Sequence, residues 1–374
     1  MSELMQNVLA KSGEYNYKSY TENHVRTVLS KLAKFEKLNL FDFGVILSPA
    51  GGAFLENFAH YAKTETRRYF GNSVSLYTPL YISNYCDNSC SYCGFNCKNE
   101  INRGKLTLNE IETEFKTIVA TGLEEILLLT GESRKKSDVG YIGEAVTLAK
   151  KYFKTIGLEV YPLEVDEYAH LHKCGADFVS IYQETYDKQT YAIHHPEGPK
   201  SDFDYRFCGQ ERAIKAGMRG VSFGALLGLW DFRKDAFATG VHAFLLAREH
   251  PHIELSFSVP RIRAAHLKSE SELIQEPVGE RELLQVMLAL RLLLPYASIN
   301  ISTRERSKFR DNVIGLVANK ISAGVKVTVG GHNESQSQKG DGQFALSDER
   351  SVEQIHVAII DKGLQPVYTD YVLV

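Results

Sequence analysis

Residues 86–97 read CDNSCSYCGFNC and hold four of the chain's six cysteines; the other two, Cys174 and Cys208, lie far downstream and far apart. Thiols crowded in this way point to a shared ligand. In a reducing compartment that ligand is more often a metal or a redox partner than a disulfide. Cys86, Cys90 and Cys93 are spaced C-x3-C-x2-C, so three thiolates on one tight loop can turn toward a common centre. Structural zinc normally takes four ligands in two separated pairs, and no second C-x2-C or H-x3-H pair follows. Cys97 could supply a fourth thiolate and close a zinc site, which would leave a non-enzymatic scaffold. Three thiolates suit a 4Fe-4S cluster better, with one iron open to a further ligand and Cys97 a bystander.

The rest of the chain must hold this loop in place. Its 374 residues are 44% hydrophobic and 24% charged, the proportions of a globular protein with a large core. A net charge of −3 gives no basic field, so nucleic acid is not an expected partner. No apolar run approaches a membrane span and MSELMQNVLAKSGEY lacks a signal-peptide core, so a cytoplasmic location is expected.

Helical periodicity marks the first 70 residues, as in Val25, Val28, Leu29 and Leu32. Strand-like runs then recur at 73–83, 125–130, 156–162, 178–183, 221–229, 253–259, 298–302 and 325–330. Helical patterns lie between most of them; one opens with Thr107 and Glu110 as a capping box and carries Leu108, Ile111, Phe115 and Val119. Continuously apolar strands predict a parallel sheet covered on both faces, and eight such units fit an α/β fold of the (β/α)8 TIM-barrel type. A doubly wound sheet is the alternative. The expected organisation is an N-terminal helical extension over 1–70, the barrel over 71–335 and a C-terminal segment over 336–374 packing on it. In a barrel, chemistry sits just after the strands. CDNSCSYC, TGE, QETY, PRIR, TRE and GGHNES all fall there.

YCDNSCSYCGF, with Tyr92 as the aromatic of C-x3-C-x-aromatic-C, resembles the signature loop of the radical S-adenosylmethionine (SAM) enzymes. The resemblance implies that Cys86, Cys90 and Cys93 ligate the cluster and that SAM binds the open iron. There it is cleaved to methionine and a 5′-deoxyadenosyl radical, with Tyr92 beside the adenine. Thr130-Gly131-Glu132 resembles the family's Gly-Gly-Glu motif: Gly131 lets the backbone approach SAM, and Glu132 suits its ammonium. Arg206, ten residues before Ala216-Gly217, matches by spacing an arginine that meets the SAM carboxylate in biotin synthase. Glu184 in YQETY is a candidate for ribose or substrate contacts, or simply a cap for the next helix.

From about residue 20 onward the chain resembles the tyrosine-cleaving branch of that family. EILLLTGES, IYQETY, SFSVPRIR and ISTRE carry the likeness beside the cysteine loop. The branch also includes hydrogenase maturases, which carry further cysteines toward the C-terminus. None follows Cys208 here, so the thiazole-pathway lyase is the expectation and a menaquinone-pathway or biotin-synthase-like step the alternative. The implied reaction cleaves the Cα–Cβ bond of L-tyrosine to 2-iminoacetate and p-cresol, beginning with hydrogen abstraction from the amino group. The implied partners are a thiazole synthase and a flavodoxin or ferredoxin reductant.

A tyrosine carboxylate in the barrel mouth calls for an arginine. Arg261, Arg263 and Arg304 are the candidates, one of them expected to be structural, with Ser258 and Thr303 as hydrogen-bond donors. His194, His195 and His332 are assigned no metal, and Gly330-Gly331 reads equally as a ligand contact or a turn. Cys174 and Cys208 are expected to be packing thiols.

Overall fold

The computed structural model describes residues 2–262, 274, 276–333 and 339–369. Eight strands follow one another: β1 (Ser73–Ser83), β2 (Glu125–Thr130), β3 (Thr155–Glu159), β4 (Phe178–Ser180), β5 (Gly220–Phe223), β6 (Glu254–Ser258), β7 (Ser298–Ile301) and β8 (Lys320–Ser322). All neighbours are parallel. Closure comes from β1, which pairs with β2 along Thr78–Ser83 and with β8 along Ser75–Tyr77. A doubly wound sheet would leave β1 and β8 unpaired with each other, so the structure is the (β/α)8 barrel.

Alternation along the strands separates two apolar layers. Val74, Leu76, Leu80, Ile82, Ile126 and Leu128 face the surrounding helices, whereas Tyr77, Tyr81, Leu127 and Leu129 form a second cluster inside the barrel. Both faces are buried, which is why these strands read as continuous apolar runs.

The helix Leu108–Val119 begins as its capping box predicts. Thr107 Oγ1 accepts from the Glu110 amide at 3.4 Å, and Glu110 accepts from the Thr107 amide at 2.8 Å. The N-terminal helices complete the outer layer. Glu3–Gly13 lies against Phe232–Glu249, while Leu40–Leu47 and Leu55–Phe70 lie against Glu280–Leu293.

The eighth strand departs from the sequence expectation. Instead of 325–330, the ladder uses Lys320–Ser322, bonded to both β7 and β1. Gly324 (φ 59°) then turns the chain out of the ladder. Residues 325–330 run on across the barrel mouth, touching β1 at a single bridge between Tyr81 and Val329. Their alternating valines put Val325 and Val327 on the cavity wall rather than in a strand.

Beyond the mouth, the helix Val352–Asp361 and the strand β9 (Gln365–Val367) follow, β9 pairing in parallel with Ser73–Ser75. An ion network anchors the approach to this helix. Asp348 accepts from the buried Arg310 and from Arg350, and Arg350 also forks onto Asp311 at 2.9 and 3.1 Å. Burial pushes the Asp348 pKa up, but Arg350 and Arg310 outweigh it and hold it at about 2. Such a group stabilises the fold above its unfolded value of about 3.9 and stops doing so as pH falls toward 2. Asp348→Asn leaves Arg310 buried without its counter-charge, a loss of roughly 3–5 kcal/mol at neutral pH. In thermal melts the gap between wild type and variant should narrow as pH falls from about 4 to about 2; a gap constant with pH would remove ionisation from the account.

Candidate active site

The cysteine loop leaves β1 and is tethered by its own backbone on several sides. The Asp87 amide bonds Glu132 O at 2.8 Å, the Ser91 amide His194 O at 3.1 Å, and the Gly94 amide Gln343 O at 3.0 Å. Arg103 clamps the loop from below, donating to the carbonyls of Asn84, Phe95 and Asn96 at 3.0, 3.1 and 2.7 Å.

Cys90 is buried, Cys86 and Cys93 are half-buried, Cys97 is exposed, and none of them forms a disulfide. Burial, with the neighbouring thiols, pushes Cys86 up to about 11; burial, against the pull of Lys200, still pushes Cys90 up to about 12. Without a cation these thiols stay protonated, so a bound metal is what would make them thiolates. Side-chain amides are already aimed at two of the sulfurs. Asn88 Nδ2 lies 3.7 Å from Cys86 Sγ, and Gln343 Nε2 lies 3.6 Å from Cys93 Sγ. Hydrogen bonds of this kind stabilise charged cluster sulfur. Three thiol donors on one loop, two of them already faced by side-chain amides, form the soft donor set that suits an iron–sulfur cluster.

After β2 the chain turns against this loop. A Cβ on Gly131 would meet Tyr85 O at 2.4 Å and Cys86 Cβ at 3.1 Å, so only glycine permits the approach. Glu132 accepts from Asn88 Nδ2 at 2.8 Å, which places its carboxylate beside the loop.

After β4, Glu184 sits at φ 71°, a conformation that side-chain-bearing residues adopt only when the surroundings impose it. The imposed contacts are an Asp235 that accepts from the Thr185 hydroxyl at 3.0 Å and the Tyr186 amide at 2.7 Å, and a Leu226 amide on Glu184 O at 2.8 Å. The Glu184 carboxylate lies 2.7 Å from Lys200 Nζ and 3.6 Å from Arg206 Nη2. Burial opposes its ionisation, yet the two cations hold its pKa at about 2.

Tyr92 hydrogen-bonds His195 Nε2 at 2.8 Å, and His195 Nδ1 meets Tyr191 O at 2.7 Å. A carbonyl only accepts, so Nδ1 carries the proton and Nε2 receives the Tyr92 hydroxyl. Burial pushes the His195 pKa down to about 3, keeping it neutral. His194 bonds Ser91 at 2.6 Å, and His332 bonds Pro79 O at 3.0 Å. The first two histidines therefore brace the cysteine loop. The amides of Gly331 and His332 both go to Glu114, which makes Gly330-Gly331 a turn.

These residues surround two adjoining cavities. The outer one, about 100 Å³, is lined by the three cysteines, Gly131, Glu132 and Arg206. The inner one, about 130 Å³, lies deeper in the barrel among Tyr77, Tyr81, Leu127, Leu129, Val325 and Val327. Glu159, Tyr182, Glu184 and Lys200 border both. Tyr92 borders the inner cavity rather than the outer.

Of the expected substrate residues, Ser258, Thr303 and Arg304 line the inner cavity. Arg304 lies 3.8 Å over the Phe344 ring and has no carboxylate partner among the described residues. Arg261 lines neither cavity: its fork is bound to the buried Glu305 and Nη1 donates to Val278 O at 2.7 Å, contacts that suit the structural arginine expected among the three. Arg263 lies outside the described residues. Cys174 and Cys208 are half-buried against the core, away from both cavities. Sequence reasoning passed over Lys200, Asn88, Gln343 and Glu159. Only Glu159 left a signal, a lone charge in the apolar run IGLEVYP.

Comparison with known proteins agrees with this architecture. Residues 80–233 match the Radical SAM superfamily, and residues 258–365 match the Biotin and Thiamin Synthesis associated domain. The crystal structure of HydG, a maturase of the FeFe hydrogenase, aligns with a TM-score of 0.88 at 28% identity, over 98% of this chain and 80% of that one. The chain is 36% identical over 155 residues to 3-methylornithine synthase of Methanosarcina barkeri, 40% of this chain and 43% of that protein. It is 39% identical over 331 residues to 2-iminoacetate synthase of Escherichia coli (strain K12), 88% of this chain and 86% of that protein. Likeness sustained along nearly the whole of both chains decides the family: the chain belongs to the 2-iminoacetate synthases of the Radical SAM superfamily.

Proposed function

We propose that this chain is a radical SAM lyase that cleaves the Cα–Cβ bond of L-tyrosine to 2-iminoacetate (dehydroglycine) and p-cresol, for thiazole and thiamine biosynthesis. One observation supports the reading above the others. The loop of Cys86, Cys90 and Cys93 opens onto an aromatic chamber whose wall offers Arg304, a guanidinium without a carboxylate partner among the described residues. An amino acid with a phenol side chain suits such a chamber, its carboxylate on the arginine and its ring among apolar walls.

In this reading Cys86, Cys90 and Cys93 hold the 4Fe-4S cluster, with Asn88 and Gln343 donating to the outer two sulfurs. When bound, the cluster and SAM supply the one-electron cleavage that yields methionine and a 5′-deoxyadenosyl radical. Gly131 allows close approach beside the loop, Glu132 takes the SAM ammonium, and Arg206 takes its carboxylate. Glu184, held ionised by Lys200, accepts from the ribose, and Tyr92 borders the adenine from the inner side. Ser258 and Thr303 donate to substrate beside Arg304. The enclosing barrel keeps water from the radical. An imine hydrolyses readily, so direct transfer to a thiazole synthase fits the product, and a flavodoxin or ferredoxin fits the need for single electrons.

Anaerobic reconstitution with reductant, SAM and tyrosine should give p-cresol together with 5′-deoxyadenosine. Deoxyadenosine without p-cresol would sink the lyase assignment while keeping the superfamily chemistry. Cys90→Ala should lose cluster iron and sulfide, whereas Cys97→Ala, altering an exposed thiol, should keep both and remain active. Arg304→Ala should raise the KM for tyrosine by roughly tenfold to a hundredfold, the worth of a charge-assisted pair. Arg261→Ala should instead lower Tm by stranding the buried Glu305. The reverse pattern in these two variants would exchange their assignments.

A further inference from the structure

Four charged side chains line the inner chamber: Glu159, Glu184, Lys200 and Arg304. Glu184 and Lys200 are joined to each other at 2.7 Å. Glu159 and Arg304 are not joined to each other, and among the described residues neither has an ion-pair partner within reach. The Glu159 side chain also makes no hydrogen bond among the described residues, although the phenols of Tyr77, Tyr81 and Tyr182 and the cations Lys200, Arg206 and Arg304 all lie within electrostatic range of it. Glu159 is half-buried on the cavity wall, and a carboxylate there shifts toward its neutral form until a cation reaches it. The position supports this. Glu159 ends β3 in register with Leu129, which is itself in register with Tyr81, so the carboxylate stands at the boundary between the two cavities.

The geometry points to Glu159 as the residue that receives the α-amino group of the substrate, opposite the Arg304 that takes its carboxylate. This rests on the tyrosine-lyase reading and refines it: the chamber selects an α-amino acid rather than a phenolic acid of the same shape. One anion and one cation without ion-pair partners among the described residues, on facing sides of one chamber, are the complement of a zwitterion, and the substrate completes both pairs at once. Placing the amino group on Glu159 also sets it on the cluster side of the chamber, while the ring extends toward Leu127, Val325 and Val327. Burial and the nearby Glu184 push the Glu159 pKa up to about 7, against the pull of Arg304, Lys200 and Arg206.

The test is binding without turnover. Cluster-loaded protein with SAM and no reductant is titrated calorimetrically with L-tyrosine and with 3-(4-hydroxyphenyl)propanoate, which lacks only the amino group. Glu159→Gln breaks no side-chain hydrogen bond or ion pair among the described residues and keeps the side chain's shape, so iron content and SAM affinity should stay close to those of the wild type. Tyrosine should bind the variant roughly tenfold to a hundredfold more weakly, with the desamino acid unchanged. Glu159→Asp, which keeps the charge on a shorter arm, should fall between the two for tyrosine alone. Equal weakening of both ligands, no weakening of either, or a loss of SAM affinity would overturn the assignment. These outcomes are separable from failure of the function itself. A wild type that forms p-cresol with no selective loss in Glu159→Gln defeats this inference only, whereas a wild type that forms none defeats both.

Discussion

Glu184 carries its carboxylate into the barrel mouth with Lys200 at 2.7 Å and Arg206 at 3.6 Å, and the upper half of the molecule is organised around that contact. A lone ion in a low-dielectric cavity would lose its hydration and lose its charge instead. Two cations reverse that outcome, and each is fixed by a second tie. The Lys200 amide donates to Asn88 Oδ1 at 2.8 Å, and Arg206 Nε donates to Tyr182 O at 2.6 Å. The ion cluster thereby joins the end of β4, the helix Phe203–Phe207 and the cysteine loop. The strained φ of Glu184 is the conformational cost of bringing the carboxylate to that point.

Asn88 shows how closely the two halves of the site are coupled. Its Nδ2 donates to Glu132 at 2.8 Å and points at Cys86 Sγ, while its Oδ1 receives Lys200. One side chain thus relates the first cysteine, the carboxylate after β2 and the cation paired with Glu184. Around it, Arg103 holds three loop carbonyls, and His194 and His195 hold Ser91 and Tyr92. Ligands held by a second layer of this kind need not be ordered by the cofactor when it arrives.

How much of this was legible in the chain depended on how local each cause was. β1 and β2 appear residue for residue where their apolar runs lie, because both faces of each are buried and nothing else explains such runs. The capping box at Thr107 and the C-x3-C-x2-C spacing are equally local. β8 was not legible: its three residues are a strand only because β7 and β1 offer free edges, and the more strand-like alternation of 325–330 is spread across the cavity mouth instead. Lys200 lies in a loop with no pattern of its own, and its role exists only once the fold sets it against Glu184.

The arginines after β6 and β7 make the same point at the scale of a single peptide bond. Nothing in PRIR or TRE distinguishes Arg261 from Arg304 by type or by strand-end position. The deciding residue is Glu305, the immediate neighbour of Arg304. Ser302–Glu305 is a turn closed by the Glu305 amide on Ser302 O at 3.1 Å, and it leaves Arg304 on the chamber wall and Glu305 outside the chamber. There Glu305 is almost fully buried and receives the Arg261 fork. One arginine is consumed by the fold because its counter-ion lies beside it outside the chamber; the other stays without an ion pair among the described residues because the nearest chamber carboxylate it could face, Glu159 at the end of β3, stands across the barrel beyond salt-bridge distance. That separation is the space a zwitterion would fill.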